Sequence, residues 1–172
     1  VTPAFPTATQ PAASAPTLKI GGTMVWGINS DITQTSLIST KPAQWVYGTM
    51  FDQLVSFDPK TFQVRPELAE SWSVSPDGME WTLNLRKDVK WHDGVSFTSK
   101  DVKFTLDAVM DQNINAAYHR PNLASVSSVE TDGDYVVRLK MKAVDNEMIN
   151  LLGDFMHMFP VHLLTGTDLN NA

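Results

Sequence analysis

The sequence predicts a mixed α/β (α+β) fold, and three patterns along the chain lead to that prediction. Residues 80–86 alternate between apolar and polar side chains, the period of two that is typical of a strand with one buried face. Residues 98–110 open with a capping-box pattern and continue with apolar residues at helical spacing. Residues 125–141 indicate two strands joined at a turn that contains Gly133. A β-rich unit with several helices is therefore expected.

The chain opens on an uncharged stretch. Residues 1–17 carry no charged side chain and consist largely of Pro, Ala and Thr, so they cannot bury enough apolar surface to offset the entropy of ordering. We expect a flexible tether there. The fold should begin within residues 18–46, where residues 23–28 form an apolar segment expected to be a strand buried on both faces. A helix over residues 43–51, a strand over 54–57 and a turn at 58–61 should follow.

Residues 66–106 hold most of the predicted turns and caps. Pro66 suits the first turn of a helix, so a short helix is expected to start there, with Glu67 and Glu70 on one face. Ser75-Pro76-Asp77-Gly78 has the residue preferences of a type I turn, and residues 92–94 predict a second turn. Asp101 stands three residues after Thr98, where it can close a capping box.

The rest of the chain predicts a loop, a hairpin and short helices. Residues 111–121 break the helical pattern and place Tyr118 in a loop. A short helix over residues 146–152 should end at Gly153, a good candidate for the C′ position. Trp72, Trp81 and Trp91 are expected to pack in the core of a small domain, since large aromatic rings are mostly buried. Residues 165–172 form a polar tail.

Composition argues against several functions. The 172 residues carry a net charge of −6, whereas a nucleic-acid-binding domain would need a basic stripe. There is no run of about 18 apolar residues that could span a membrane. The absence of Cys rules out zinc–thiolate sites, and His157 and His162 are five apart, which does not place them on one helical face. No nucleotide-binding or nucleophile motif is present, so neither a cofactor nor a metal is expected.

The motifs of the central stretch resemble those of a known family. In chain order they are P-x-L-A-x-S-W at 66–72, S-x-D-G at 75–78, W-T-x-x-L-R at 81–86, V-K-W-H-D-G at 89–94 and F-T-x-x-D-V-x-F-T at 97–105. This order is similar to the signature of the family 5 solute-binding proteins. These are extracytoplasmic receptors of ABC importers for dipeptides and oligopeptides and, in some members, nickel or haem.

The resemblance implies an architecture and a location. It implies a periplasmic-binding-protein type II-like fold, in which residues 18–46 start a large lobe and residues 47–164 form the small α/β subdomain. Family members are roughly three times as long, more than one domain of usual size, so the chain is expected to be an N-terminal part that needs its C-terminal lobes. A periplasmic or cell-surface location is implied, with a possible lipid anchor ahead of the tether. The implied partners are a solute and a membrane permease, and no nucleic acid.

The resemblance also implies a ligand site. Family members contact the solute from the loop that corresponds to Ser39, Thr40, Lys41 and Pro42, and from a tyrosine that corresponds to Tyr118. Trp45 is the tryptophan expected to approach this cleft. Ser39 stands where peptide-binding relatives can carry an acid for the peptide amine, which argues against a solute with a free amine.

Three alternatives stay open at this point. The same receptor fold could take a nickel chelate, haem or an oligosaccharide instead of a peptide. A hydrolase could hold its active site beyond this chain, although Glu67 and Glu70 on one short helix do not make a catalytic pair across a cleft. An interaction domain without a cleft would instead expose a large apolar patch.

Overall fold

The computed structural model describes residues 21–23, 25, 27, 47–154 and 156–170. The strands are β1 Val55–Phe57, β2 Val64–Pro66, β3 Ala69–Val74, β4 Glu80–Leu85, β5 Val126–Thr131 and β6 Val136–Met141. The helices are α1 Ser99–Met110, α2 Met148–Leu152 and α3 Val161–Leu164, with a 3-10 helix at Arg120–Leu123. The predicted mixture of strands and helices is confirmed.

The main sheet has four antiparallel strands in the order β3-β4-β6-β5, and β1 pairs with β2 in a separate two-stranded ribbon. Trp81 lies opposite Leu139 and Leu83 lies opposite Val137, so the apolar residues of β4 and β6 share one face. Every second residue of both strands is buried, as the period of two predicted.

Helix α1 covers the apolar face of this sheet. It packs against β5 and β6, and Val102, Leu106 and Val109 are buried in the same cluster as Leu83 and Leu139. Their spacing places them on one side of the helix, which accounts for the amphipathic pattern. Burial of one apolar stripe against one apolar sheet face is what holds the two layers together.

The predicted capping box at the start of α1 is confirmed. The Thr98 amide donates to Asp101 Oδ2 at 2.8 Å, and the Asp101 amide donates in return to the Thr98 side chain. The second carboxylate oxygen of Asp101 accepts the Val161 amide at 3.0 Å, so this buried side chain also holds the start of α3. A local cap therefore doubles as a tertiary contact.

The predicted short helix at Pro66 is wrong. Pro66 ends β2, opposite Val55, and β3 begins at Ala69. The backbone bonds run across the chain instead: the Leu68 amide donates to Gln53, and the Leu68 carbonyl accepts the Arg86 amide. Hydrogen bonds to two neighbouring segments satisfy backbone groups that a single helical turn would leave without partners. Glu67 and Glu70 consequently share no helical face.

Gly153 does end α2, but not in the left-handed conformation expected of a C′ glycine, since its φ is −93°. Packing explains the glycine instead. A Cβ atom there would lie 3.0 Å from the Phe57 ring and 3.2 Å from the Val55 side chain. The absence of a side chain lets α2 approach β1 closely.

Aromatic rings anchor the turn that carries the W-H-D-G motif. The predicted turn is confirmed at residues 91–94, where the Gly94 amide donates to the Trp91 carbonyl. Phe51 makes edge-to-face contacts with Tyr47, Trp91 and Phe159, with ring centroids 5.2–6.5 Å apart. Trp91 also meets Phe97 at 5.9 Å. The turn is therefore anchored to the core by its own tryptophan.

The tryptophans of the central stretch differ in depth. Trp81 is buried in the core, whereas Trp72 and Trp91 are partly buried and pack against its edge. The expectation of a common core is thus confirmed for Trp81 and holds in weaker form for the other two. All three rings lie on elements of the main sheet or on the turn that follows it.

The beginning of the chain is described only at a few positions. The tether expected over residues 1–17 lies outside the described residues, as does most of the strand expected over 23–28. Val25 is 92% exposed and has no regular structure, so the burial expected on both faces is not found at that position. Within the part of the chain that is described, no helix is both long and apolar enough to cross a bilayer.

Candidate functional site

Tyr118 is the one predicted ligand residue that the structure describes. It lies in the loop between α1 and the 3-10 helix, and its side chain is partly exposed. Its ring meets the His119 imidazole edge to face, with centroids 4.9 Å apart and an interplanar angle of 81°. A partly exposed ring braced from the side can present a flat apolar surface to a solute.

The loop that carries Tyr118 is held from both ends. The amides of His119 and Arg120 both donate to the carbonyl of the buried Ala116. The Arg120 guanidinium donates to the carbonyls of Val109 and Asp111, and also to that of Ile114. These acceptors lie at and beyond the end of α1, where helix carbonyls lack partners of their own. Arg120 therefore fixes the position of Tyr118 and directs its charge toward the backbone.

Two histidines at this surface are buried: His119 in the loop itself, and His157, which is close enough to affect the pKa of His119. His119 is 5% exposed, and burial lowers its pKa to about 4, while Asp154 acts in the opposite direction and His157 adds repulsion. Burial also lowers the pKa of His157, against the effect of Asp52. Both imidazoles are consequently neutral near pH 7.

Asp154 supplies the negative charge of this surface. It follows Gly153, the residue that caps α2, and Asn122 Nδ2 donates to its Oδ2 at 3.5 Å, which joins the end of α2 to the 3-10 helix. Burial and then the charge of Asp154 raise the pKa of the Tyr118 hydroxyl, so the phenol stays protonated at neutral pH. The arrangement can bind through a ring, a hydroxyl and a carboxylate.

The name Tyr118 surface is used below for Tyr118 and Asp154 together with His119, His157 and Arg120. No group of three or more His, Asp, Glu or Cys side chains that could hold a metal ion occurs among the described residues. A separate open groove of about 690 Å³ borders the same loop, lined in part by Met110, Arg120 and Lys142, and Tyr118 is not among its lining residues.

The other predicted site residues cannot be placed beside Tyr118. Ser39, Thr40, Lys41, Pro42 and Trp45 all lie outside the described residues. The structure also adds Asp154, which the sequence did not single out. Asp154 follows a predicted C-terminal glycine, and an acid at the end of a helix is the one local signal that could have drawn attention to it.

Comparison with known proteins gives this geometry a context. Residues 63–168 match the sequence profile of the family described as bacterial extracellular solute-binding proteins, family 5 Middle. A Brucella ovis protein provisionally named as a peptide-binding protein of an ABC transporter is 38% identical over 128 residues, which are 74% of this chain and 24% of that protein. The dipeptide-binding protein of Escherichia coli is 34% identical over 109 residues, 60% of this chain and 20% of that protein.

Solved structures agree in fold. The structure of NikZ from Campylobacter jejuni in complex with Ni(L-His) superposes with a TM-score of 0.75 at 29% identity and covers 84% of this chain and 29% of that one. The oligopeptide-binding protein AppA from Bacillus subtilis, in complex with a nonapeptide, gives a TM-score of 0.68 at 28% identity. The match covers 80% of this chain and 27% of that one. The chain thus spans about a quarter of the length of the curated relatives.

Proposed function

The chain belongs to the bacterial extracellular solute-binding proteins of family 5, and we propose that it forms the N-terminal portion of a receptor that binds a peptide or a similar small solute. The receptor would work outside the cytoplasm, in the periplasm or at the outer face of the cell membrane, where a lipid anchor could hold it. It would deliver the solute to the permease of an ABC importer. The names of the relatives, which include dipeptide-binding and oligopeptide-binding proteins, support this choice of solute.

The observation that carries the proposal is the Tyr118 surface. A partly exposed aromatic ring, fixed from both ends of its loop and accompanied by a carboxylate, is a preformed contact surface for a small solute. The buried positions of this loop are occupied by Ala116 and His119, whereas the Tyr118 side chain stays partly exposed. We place the remaining contacts at Ser39, Thr40, Lys41 and Pro42, with Trp45 at the edge of the cleft.

The proposed mechanism is binding without bond chemistry. Two lobes would close around the solute, and the closed form would be the one that the permease recognises. The described residues would supply one wall of the cleft, through the Tyr118 surface. The C-terminal lobes of the receptor would supply the other wall, since pockets that bury most of a ligand need both.

A nickel chelate is the second candidate solute. The NikZ structure contains Ni(L-His), and that structure shares its fold with this chain. In the NikZ structure the nickel is bound with L-His, so a nickel solute is expected to arrive here with its own chelator as well. Haem and an oligosaccharide are further solutes that the same fold could take.

Native mass spectrometry of the intact receptor, purified from its own cells, tests the proposal. A co-purifying mass that corresponds to a peptide is the expected result, and a nickel chelate would support the second candidate. The alternative from another class is a hydrolase, which a turnover assay with peptide and glycoside substrates would reveal. Substrate turnover by the intact receptor would refute binding without chemistry.

A further inference from the structure

Building on the proposed function, we propose that Asp154 determines specificity at the Tyr118 surface and that it selects a cationic group of the solute, a protonated amine or a guanidinium. The proposal concerns the chemistry of one contact. It adds a substrate class to the proposed receptor and names the residue responsible.

The position of Asp154 is the first observation. Its amide donates to the Leu151 carbonyl at 3.3 Å, which places it in the turn that closes α2. Its carboxylate meets Asn122 on the 3-10 helix, four residues after Tyr118. Close packing of Gly153 against Phe57 and Val55 leaves this turn little freedom to move. The carboxylate is therefore held against the segment that carries the Tyr118 ring.

The second observation is that Asp154 forms no ion pair with any residue that the structure describes. Eight ion-pair contacts occur within residues 47–154 and 156–170, and none of them includes the Asp154 carboxylate. Arg120, the cation that follows Tyr118 in the chain, donates to backbone carbonyls. Because His119 and His157 are buried, they add no positive charge at neutral pH.

The third observation is that Asp154 lies just past the carboxyl end of α2, whose last turn carries no basic residue. The carboxyl end of a helix presents the negative end of its dipole, where a cation stabilises and an anion destabilises. Its hydrogen bond from Asn122 leaves the carboxylate with capacity to accept from a further donor. A cationic group of the solute at this position would be stabilised by the carboxylate and by the end of the helix.

The neighbouring ring suits the same ligand. A cation over the face of a tyrosine is attracted by the ring quadrupole, so Tyr118 and Asp154 would act on one group together. The expectation of a solute without a free amine rested on Ser39, which stands where relatives can carry an acid. Asp154 supplies a carboxylate from a different segment, and this removes the objection.

The test uses the intact receptor and four peptide probes: Ala-Ala-Ala and Lys-Ala-Ala, each with a free and with an acetylated amino terminus. Calorimetry should show that wild-type receptor binds the three probes carrying a cation about tenfold or more tighter than acetyl-Ala-Ala-Ala. Asp154→Asn should remove this preference while the binding of acetyl-Ala-Ala-Ala stays the same. Asp154→Glu should keep the preference in part.

Asp88→Asn is the matched control, because it makes the same charge change at an exposed residue that pairs with Arg86. It should leave the preference intact. Equal binding of all four probes by wild-type receptor would overturn this inference and leave the proposed function standing. So would an Asp154→Asn variant that keeps the preference or weakens all four probes equally. Failure of wild-type receptor to bind any probe would overturn the peptide class, and this inference with it.

Discussion

Asp93 and His162 lie 69 residues apart in sequence, yet Nε2 of His162 is 2.7 Å from Oδ2 of Asp93. Asp93 belongs to the W-H-D-G turn, and His162 belongs to α3. The other oxygen of Asp93 accepts the Val95 amide at 3.0 Å, so one carboxylate shapes its own turn and holds a distant helix. The contact joins the W-H-D-G turn to α3, two segments that the sequence shows only as separate motifs.

Replacing His162 by Ala should raise the pKa of Asp93. The hydrogen bond from His162 is the largest cause of the lowered pKa, followed by the bond from the Val95 amide, which the variant keeps. The rise should therefore stop short of the ordinary value of an aspartate. An NMR titration of the Asp93 carboxyl carbon measures it. An unchanged pKa would mean that the contact does not persist in solution.

The same contact has a pH dependence whose sign follows from the lowered pKa of Asp93. A folded-state pKa below the unfolded one gives a contribution to stability that is present above the unfolded pKa. That contribution is lost as pH falls through the folded pKa. Wild-type protein should thus lose more stability than His162→Ala over the acidic range in urea denaturation.

Asp101→Ala should destabilise the protein by about 2–4 kcal/mol, more than the loss of a helix cap alone, because it also leaves the Val161 amide without its acceptor. Urea denaturation at constant m-value measures the effect. Asp107→Ala on the same helix is the control. Asp107 pairs with Lys103 in an exposed i,i+4 contact, which should contribute less than about 1 kcal/mol. Equal destabilisation by both variants would contradict the double role of Asp101.

His119 should make the protein sensitive to mild acid. Its folded pKa of about 4 lies below the ordinary value of 6.5, so the unfolded chain binds the proton more readily between these values. Stability should be fully present above about pH 6.5 and fall as pH drops toward 4. The difference of about 2.5 units corresponds to about 3 kcal/mol, at about 1.4 kcal/mol for each unit.

The variant that checks this prediction is His119→Gln, which cannot titrate in this range. Its free energy of unfolding should fall less between pH 6.5 and pH 4 than that of wild-type protein, whatever its value at neutral pH. The pKa of His157 is also lowered, so the free energy of unfolding of the variant should still decrease somewhat over this pH range. Parallel pH profiles for the two proteins would show that His119 is not the group that titrates.

Tyr118→Ala should weaken solute binding by the intact receptor by about 1–3 kcal/mol, the scale of losing an aromatic contact at a binding site. Its melting temperature should change little, because the side chain is partly exposed and the loop is held by Ala116 and Arg120. Calorimetry with the solute identified by mass spectrometry gives the measurement. Tyr118→Phe keeps the ring and should retain most of the affinity. Full affinity in Tyr118→Ala would remove Tyr118 from the site.

The sequence by itself determined those elements whose signal is local. The alternation in β4, the capping box at Thr98 and Asp101, and the turn at Ser75–Gly78 are confirmed because neighbouring residues decide them. Local hydrogen bonds and a period of two or 3.6 do not depend on distant partners. The family motifs belong to this same class of signal, and they led to the fold.

Only the tertiary structure decided the points that depend on distant partners. Pro66 carries a helix-start preference, yet pairing with Val55 across the ribbon places it in a strand. Glycine is a residue type typical of helix ends, yet Gly153 must lack a side chain because the Phe57 ring packs against it. Asp154 reaches the Tyr118 loop through Asn122, a contact between segments 32 residues apart. Such contacts form only when the chain closes on itself, because their free energy comes from packing that no window of neighbouring residues contains.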